Sequence, residues 1–317
     1  MNTHIETVAS VMVLVALITF VVGLRHFKIL KKEDGALFSK IVLNITLPAV
    51  IFYSLSHSAN IELDYLFLAL SLLLVEVIIL IIAWFIGKAL KLTAPQLGSF
   101  LLASAFGSSA LLGYSMISQI YPNNISAMSE AVVVSEIGVG IGIFTIGTMV
   151  AIYFGRGVEE KNVKISEIFI TFLKSPIFIS IGLGILYSSF NMPTSTLFFK
   201  EFFDVIHLIS NSNTFFVALT VGVLLQFSSI KEIALIAIIA VLLKLIISPL
   251  LMIAPLQLFQ LQNWQQQVVI IETAMPSAML SVVLASKYGC DSELASKLVF
   301  ITTILSAITI PIVLTFT

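Results

Sequence analysis

The chain has 317 residues, of which 59% are hydrophobic and only 10% charged, and its mean hydropathy is +1.10. A soluble domain carries roughly 25% charged residues, so a chain this apolar along its whole length reads as an all-α polytopic membrane protein. A net charge of -1 with no basic tail argues against a nucleic-acid partner. The single cysteine, Cys290, excludes an intrachain disulfide and a cysteine-based metal cluster.

A helix needs about 20 mostly apolar residues to cross the hydrocarbon core. The first apolar run, near 5–24, has no Lys or Arg ahead of it and Arg25, Lys28, Lys31 and Lys32 behind it. That is the reverse of a cleavable signal peptide, so the run is expected to stay as the first span. Further runs lie near 36–56, 63–88, 96–121, 128–154, 166–189, 197–226, 232–258, 265–287 and 292–316, which makes ten spans. With the first end outside, the inner loops hold Arg25, Lys28, Lys31 and Lys32, then Lys88 and Lys91, then Arg156, Lys161 and Lys164, then Lys231 and Lys287. Lys200 is the main basic residue left outside, beside Glu201 and Asp204. Positive charge on the inner loops sets the orientation. The expectation is a multi-pass protein of the cell (inner or plasma) membrane, surrounded by lipid, with both termini outside.

Span nine contains Glu272-Thr273-Ala274-Met275-Pro276-Ser277, a carboxylate, a proline and small hydroxyl residues inside an apolar run. Proline removes a helical hydrogen bond and frees backbone groups. Lipid cannot satisfy such groups, so the break belongs inside protein or beside a cavity. Span four carries Ser104-Ala105-Phe106-Gly107-Ser108-Ser109-Ala110, similar in character at an offset of 169 residues. Asn44-Ile45-Thr46-Leu47-Pro48 of span two falls near Asn211-Ser212-Asn213-Thr214 of span seven at a similar offset. Five spans per half is an odd number, so the halves run in opposite senses, the inverted-repeat plan of many secondary transporters. The expected domains are residues 1–155 as the first five-helix repeat, 156–165 as a cytoplasmic linker and 166–317 as the second repeat.

Several stretches resemble the auxin efflux carrier family. Asn44-Ile45-Thr46-Leu47-Pro48-Ala49-Val50-Ile51-Phe52 is similar to its second span, and Ala274-Met275-Pro276-Ser277-Ala278 with Leu284-Ala285-Ser286-Lys287-Tyr288-Gly289 to its ninth. Lys244-Leu245-Ile246-Ile247-Ser248-Pro249 resembles the eighth span, and Leu305-Ser306-Ala307-Ile308-Thr309-Ile310-Pro311 the tenth. The resemblance implies ten helices in two inverted repeats with broken helices four and nine crossing each other. This is an architecture like that of bile-acid/sodium symporters and sodium/proton antiporters. It also implies a scaffold of helices 1, 2, 6 and 7, often dimerising, and a mobile transport part of helices 3–5 and 8–10. Family members carry organic anions, malonate and malate in bacteria and auxin in plants. One departure stands in span four, where serine replaces the family's asparagine and its proline in Gly107-Ser108-Ser109-Ala110-Leu111-Leu112-Gly113-Tyr114-Ser115. Auxin recognition of the plant kind is not supported.

Unwound helices offer N–H groups and positive half-helix ends to an anion. Gly107, Ser108 and Ser109, with Met275, Pro276 and Ser277, are therefore candidate substrate-binding residues; a proline kink satisfied by neighbouring helices is the plainer alternative. Asn44, Asn211 and Asn213 are candidates from the scaffold side, with interhelical hydrogen bonding as the alternative. A charge at bilayer depth costs about 2.5–3.5 kcal/mol and needs a partner, water or a proton. Glu136, Glu272 and Lys244 are thus candidates for coupling to H+ or Na+, or else a static pair; Glu76 is read as facing water or a neighbour. His207 is read as an ordinary hydrogen-bonding residue, and the glycines Gly138, Gly140, Gly142 and Gly147 as aids to close helix packing.

The leading expectation is a secondary carrier of a small mono- or dicarboxylate working by an elevator-like movement. The alternative is a proton- or sodium-coupled ion exchanger on a related crossed-helix fold. No protease motif at matching depth and no nucleotide-binding pattern appear, so neither an intramembrane enzyme nor an ATP-driven pump is expected, and no cofactor is implied beyond a coupling ion.

Overall fold

The computed structural model describes residues 2–57, 63–122, 124–155, 173–190, 196–224, 233–259 and 261–314, with Ile170 and Met192 besides. The expected linker, 156–165, lies outside the described residues, as does Lys231. The helices run in the order α1 (Asn2–His26), α2 (Asp34–Ser56), α3 (Leu63–Ala89), α4 (Ala94–Ala105), α5 (Tyr114–Ile120), α6 (Ile125–Phe154), α7 (Pro176–Ser189), α8 (Leu197–Asn211), α9 (Asn213–Leu224), α10 (Ala234–Leu256), α11 (Asn263–Ala274), α12 (Met279–Tyr288) and α13 (Ser292–Val313). Among the described residues no strand forms; the one extended pairing is a single bridge between Gly107 and Ser277.

Among the described residues, six helical stretches are long and apolar enough to cross a membrane, namely α2, α3, α6, Phe199–Leu224, α10 and α13. Met12–His26, Pro176–Ser189 and Met279–Tyr288 are shorter apolar helices. This is the build of a polytopic membrane protein. The expected breaks in spans four and nine fall between separate helices, α4 and α5 on one side and α11 and α12 on the other.

Several long helices are locally widened. α2 carries a π-turn at Val42–Thr46 ahead of Pro48, and α10 carries one at Leu242–Ile247 ahead of Pro249. A proline has no N–H for the carbonyl one turn back, and widening the turn accommodates the missing bond. α6 has two π-turns, Val134–Gly140 and Ile143–Gly147, and no proline. Its glycines bring it close to α3: a Cβ on Gly138 would lie 3.0 Å from the Ala69 carbonyl oxygen.

The chain forms two compact units, each drawing segments from both halves of the sequence. Unit 1 comprises Met1–Glu62, Ala110–Val132 and Thr171–Leu225. In it α1 packs on α9 and α5, and the second part of α2 packs on α7 and α8. Val21, Leu219 and Val223 form a buried cluster there, with Leu30, Phe38 and Phe216 against it. Phe52, Tyr53, His57, Phe203 and His207 make an aromatic stack between α2 and α8. Unit 2 comprises Leu63–Ser109, Val133–Ile170 and Gln226–Thr317. In it α3 packs on α4 and on the Val134–Gly140 π-turn of α6, and α13 packs on α4, α10 and α12.

Within unit 2, α4 and α11 are counterparts. Each has 12 residues. Each starts with a capping box, Thr93 with Gln96 in α4 and Gln262 with Gln265 in α11. Both starts and both ends are 169 residues apart, Ala94 against Asn263 and Ala105 against Ala274. The reciprocal side-chain bonds satisfy N–H groups that the first helical turn leaves open.

Candidate functional site

Both helices stop at matching places. After Ala105 the backbone turns extended at Phe106, and after Ala274 it turns extended at Met275. Pro276 explains the second stop, since it lacks an N–H for the Glu272 carbonyl and biases Met275 away from helix. The two extended pieces then pair antiparallel. The Ser108 N–H donates to the Pro276 carbonyl at 2.7 Å, and the Ala278 N–H donates to the Phe106 carbonyl at 2.9 Å. The helix resumes as a π-turn at Ser109–Gly113 on one side and as α12 on the other.

The carbonyls at the two helix ends take side-chain donors of different chemistry. At the end of α4, the Ser281 hydroxyl donates to the Leu102 carbonyl at 3.1 Å and the Ser277 hydroxyl to the Ala103 carbonyl. At the end of α11, the Lys244 ammonium donates to the Thr273 carbonyl at 2.9 Å. A cation at a helix C-terminus also complements the dipole. Gly107 makes room for it: a Cβ there would lie 3.1 Å from Lys244 Nζ. The Ser277 N–H donates to the Thr302 hydroxyl of α13 at 3.2 Å.

The N–H groups of Ser108, Ser277 and Ala278 are therefore bound to protein acceptors, as is the Ser277 hydroxyl. The hydroxyls of Ser104 and Ser108 are buried and have no hydrogen-bond partner. Ser109, Met275 and Pro276 sit at the same crossing, with Ser109 ending the first segment of unit 2. All six crossing candidates thus come together in one unit.

Among the described residues, four carboxylate or ammonium side chains are buried in the same unit: Glu76 of α3, Glu136 of α6, Lys244 of α10 and Glu272 of α11. Lys244 interacts electrostatically with Glu76 and Glu272, and Glu272 with Glu136. No carboxylate oxygen of Glu76 or Glu272 has a hydrogen-bond partner. Glu76 is pressed against α6, where a Cβ on Gly142 would come within 2.7 Å of its Oε2. The group holds three carboxylates against one ammonium, and each would be costly to bury alone.

The asparagine candidates belong to unit 1. Asn44 is exposed and its amide turns back to the Lys40 carbonyl of its own helix at 2.8 Å, so its neighbour Thr46 makes the inward contact. The Thr46 hydroxyl donates to Asn213 Oδ1 at 2.8 Å. Asn211 lies 3.3 Å from His207 Nε2. Asn211, Asn213 and His207 line a cavity of about 320 Å³ within unit 1.

Sequence reasoning passed over Ser281, Thr302 and the cluster role of Glu76. Ser281 stands four residues after Ser277 and so shares its helical face, which was a readable signal. Thr302 and Glu76 come from distant helices and carried none. The capping box at Thr93 and Gln96 was readable from spacing alone, whereas Gln262 is not a usual first residue of one.

A family model for membrane transport proteins matches residues 3–314. An uncharacterized transporter of Methanocaldococcus jannaschii is 28% identical over 306 residues, covering 94% of this chain and 95% of its own length. An uncharacterized transporter of Methanothermobacter thermautotrophicus is 25% identical over 314 residues, covering 97% and 96%. With the match spanning nearly the whole chain, the protein belongs to the membrane transport protein family, as the resemblance to the auxin efflux carriers implied.

Proposed function

We propose that the protein is a secondary carrier of a small organic anion, a mono- or dicarboxylate, in the cell membrane with both termini outside. The observation that carries this reading is the pair of helix breaks bridged at Gly107 and Ser277, each at the end of a 12-residue helix at an offset of 169. Helices of equal length, capped alike and followed by extended pieces that pair antiparallel, support two inverted five-helix repeats and ten spans in all. In such folds substrate binds near the midplane at the broken helices. The unpartnered Ser108 hydroxyl and the Lys244 ammonium supply donors for a carboxylate at that point. The compactness of the unit that holds the crossing supports an elevator-like movement of that unit. Scaffold helices of unit 1 are the surfaces through which a homodimer would form.

The test is transport. Purified protein in liposomes should exchange labelled malonate or malate, and Pro276→Ala combined with Ser277→Ala should impair the exchange. Folded protein that neither binds nor moves any member of an organic-acid panel would sink the substrate class.

A second reading, proton- or sodium-coupled exchange, draws on the buried cluster. Glu136, Glu272 and Lys244 are the coupling candidates of this group, and the Glu76 and Glu272 carboxylates, buried without hydrogen-bond partners, are groups that a proton or a sodium ion could neutralise in one carrier state. A pH-gradient assay separates the readings: a pure exchanger dissipates the gradient without organic substrate, whereas a coupled carrier requires it.

A further inference from the structure

The cavity of unit 1 lies among α2, α5, the start of α6 and the α8–α9 junction, and no crossing residue lines it. At about 320 Å³ it falls in the size range of small-molecule sites.

Its polar groups are biased toward donation. Asn124 caps α6, its Oδ1 accepting the Ala127 N–H at 3.1 Å. Asn213 Oδ1 accepts the Thr46 hydroxyl at 2.8 Å. In each amide the acceptor end is taken, so the NH2 end remains for the cavity. Asn211 directs an N–H to His207 Nε2 at 3.3 Å. Burial, reinforced by Glu130, pushes the Tyr121 phenol up to about 12, which keeps its proton in place. Among the described residues, no lysine, arginine, aspartate or glutamate lines the cavity.

Neutral donors without a full charge suit one carboxylate group. A metal cation would call for a carboxylate ligand, which no described lining residue supplies, and a phosphate dianion would call for a cationic partner. We propose that this cavity is a carboxylate-binding site distinct from the helix crossing, in which the amide NH2 groups of Asn124 and Asn213 hold the carboxylate. The site stands whether or not the carrier reading does.

The experiment titrates the full chain in lipid nanodiscs with labelled malonate, with uncharged malonamide as competitor. Asn124→Asp and Asn213→Asp keep the acceptor oxygen that Ala127 and Thr46 use but replace the NH2 with negative charge. Asn124→Ser keeps a capping oxygen and deletes the NH2. Each variant is expected to weaken one class of malonate binding by about tenfold or more, the loss of a good charge-assisted hydrogen bond. Malonamide should not compete, and Pro276→Ala with Ser277→Ala should leave this class intact. Unchanged affinity in the Asn124 variants, equal competition by malonamide, or no malonate binding by the wild type would overturn the proposal. Should Asn213→Asp fail to fold, the two Asn124 variants decide. Loss of liposome transport with this binding class intact would count against the carrier reading alone.

Discussion

Lys244→Met keeps most of the lysine stem and removes the ammonium from the crossing. The change deletes the bond to the Thr273 carbonyl and takes away the cation acting on Glu76 and Glu272. Both carboxylates are fully buried without hydrogen-bond partners, so nothing in the protein replaces the lost charge. Leaving the buried Thr273 carbonyl without its donor costs about 1–3 kcal/mol. At about 2–4 °C per kcal/mol for a unit of this size, the transition should fall by roughly 2–12 °C. Thermal unfolding followed by tryptophan fluorescence in detergent reads the shift. The electrostatic origin is tested by adding Glu272→Gln: the double variant should recover part of the loss, because neighbouring charges couple. A Lys244→Met protein that melts with the wild type would refute the reasoning, as would a double variant no more stable than the single.

Gly142→Ala would place a methyl group 2.7 Å from Glu76 Oε2 and 3.0 Å from Leu73 Cδ1, and overpacking of this kind costs about 1–3 kcal/mol. A melting temperature equal to wild type would show that α3 and α6 part more easily than their packing implies. Tyr121 gives a pH prediction. Burial and Glu130 raise its phenol from 10.0 to about 12. Between those values the unfolded chain has released the proton and the folded chain has kept it, so stability should fall as pH rises from 10 to 12. Tyr121→Phe should flatten that part of the stability profile, and an identical slope in the variant would contradict the assignment.

Much of the crossing was legible because its ingredients are local. Pro276 breaks a helix wherever it sits, and Gly107, Ser108 and Ser109 are poor residues for a buried helix interior. Their offset of 169 could be read from the text, and the capping boxes that begin α4 and α11 repeat the same offset. The roles within the crossing were less legible. Ser277 was expected to offer its hydroxyl and backbone to an anion, yet both donate to protein, to Ala103 and Thr302. Asn44 was expected to face inward, yet its π-turn leaves it exposed and turns Thr46 toward Asn213. A single widened turn rotates every following side chain, and hydropathy does not register it.

Composition by itself determined that the chain belongs in a membrane, because nothing else accommodates so much apolar surface with so little charge. Local chemistry determined where helices break, because proline and capping residues act within one turn. Tertiary structure alone decided what satisfies each break. The carbonyls at the end of α4 take serine hydroxyls, while that at the end of α11 takes the ammonium of Lys244, 29 residues away in sequence. It also decided that Glu76 joins Lys244 and Glu272 in one buried group. A backbone group in an apolar interior must find a partner, but which distant helix supplies it depends on packing, and packing is a property of the whole chain.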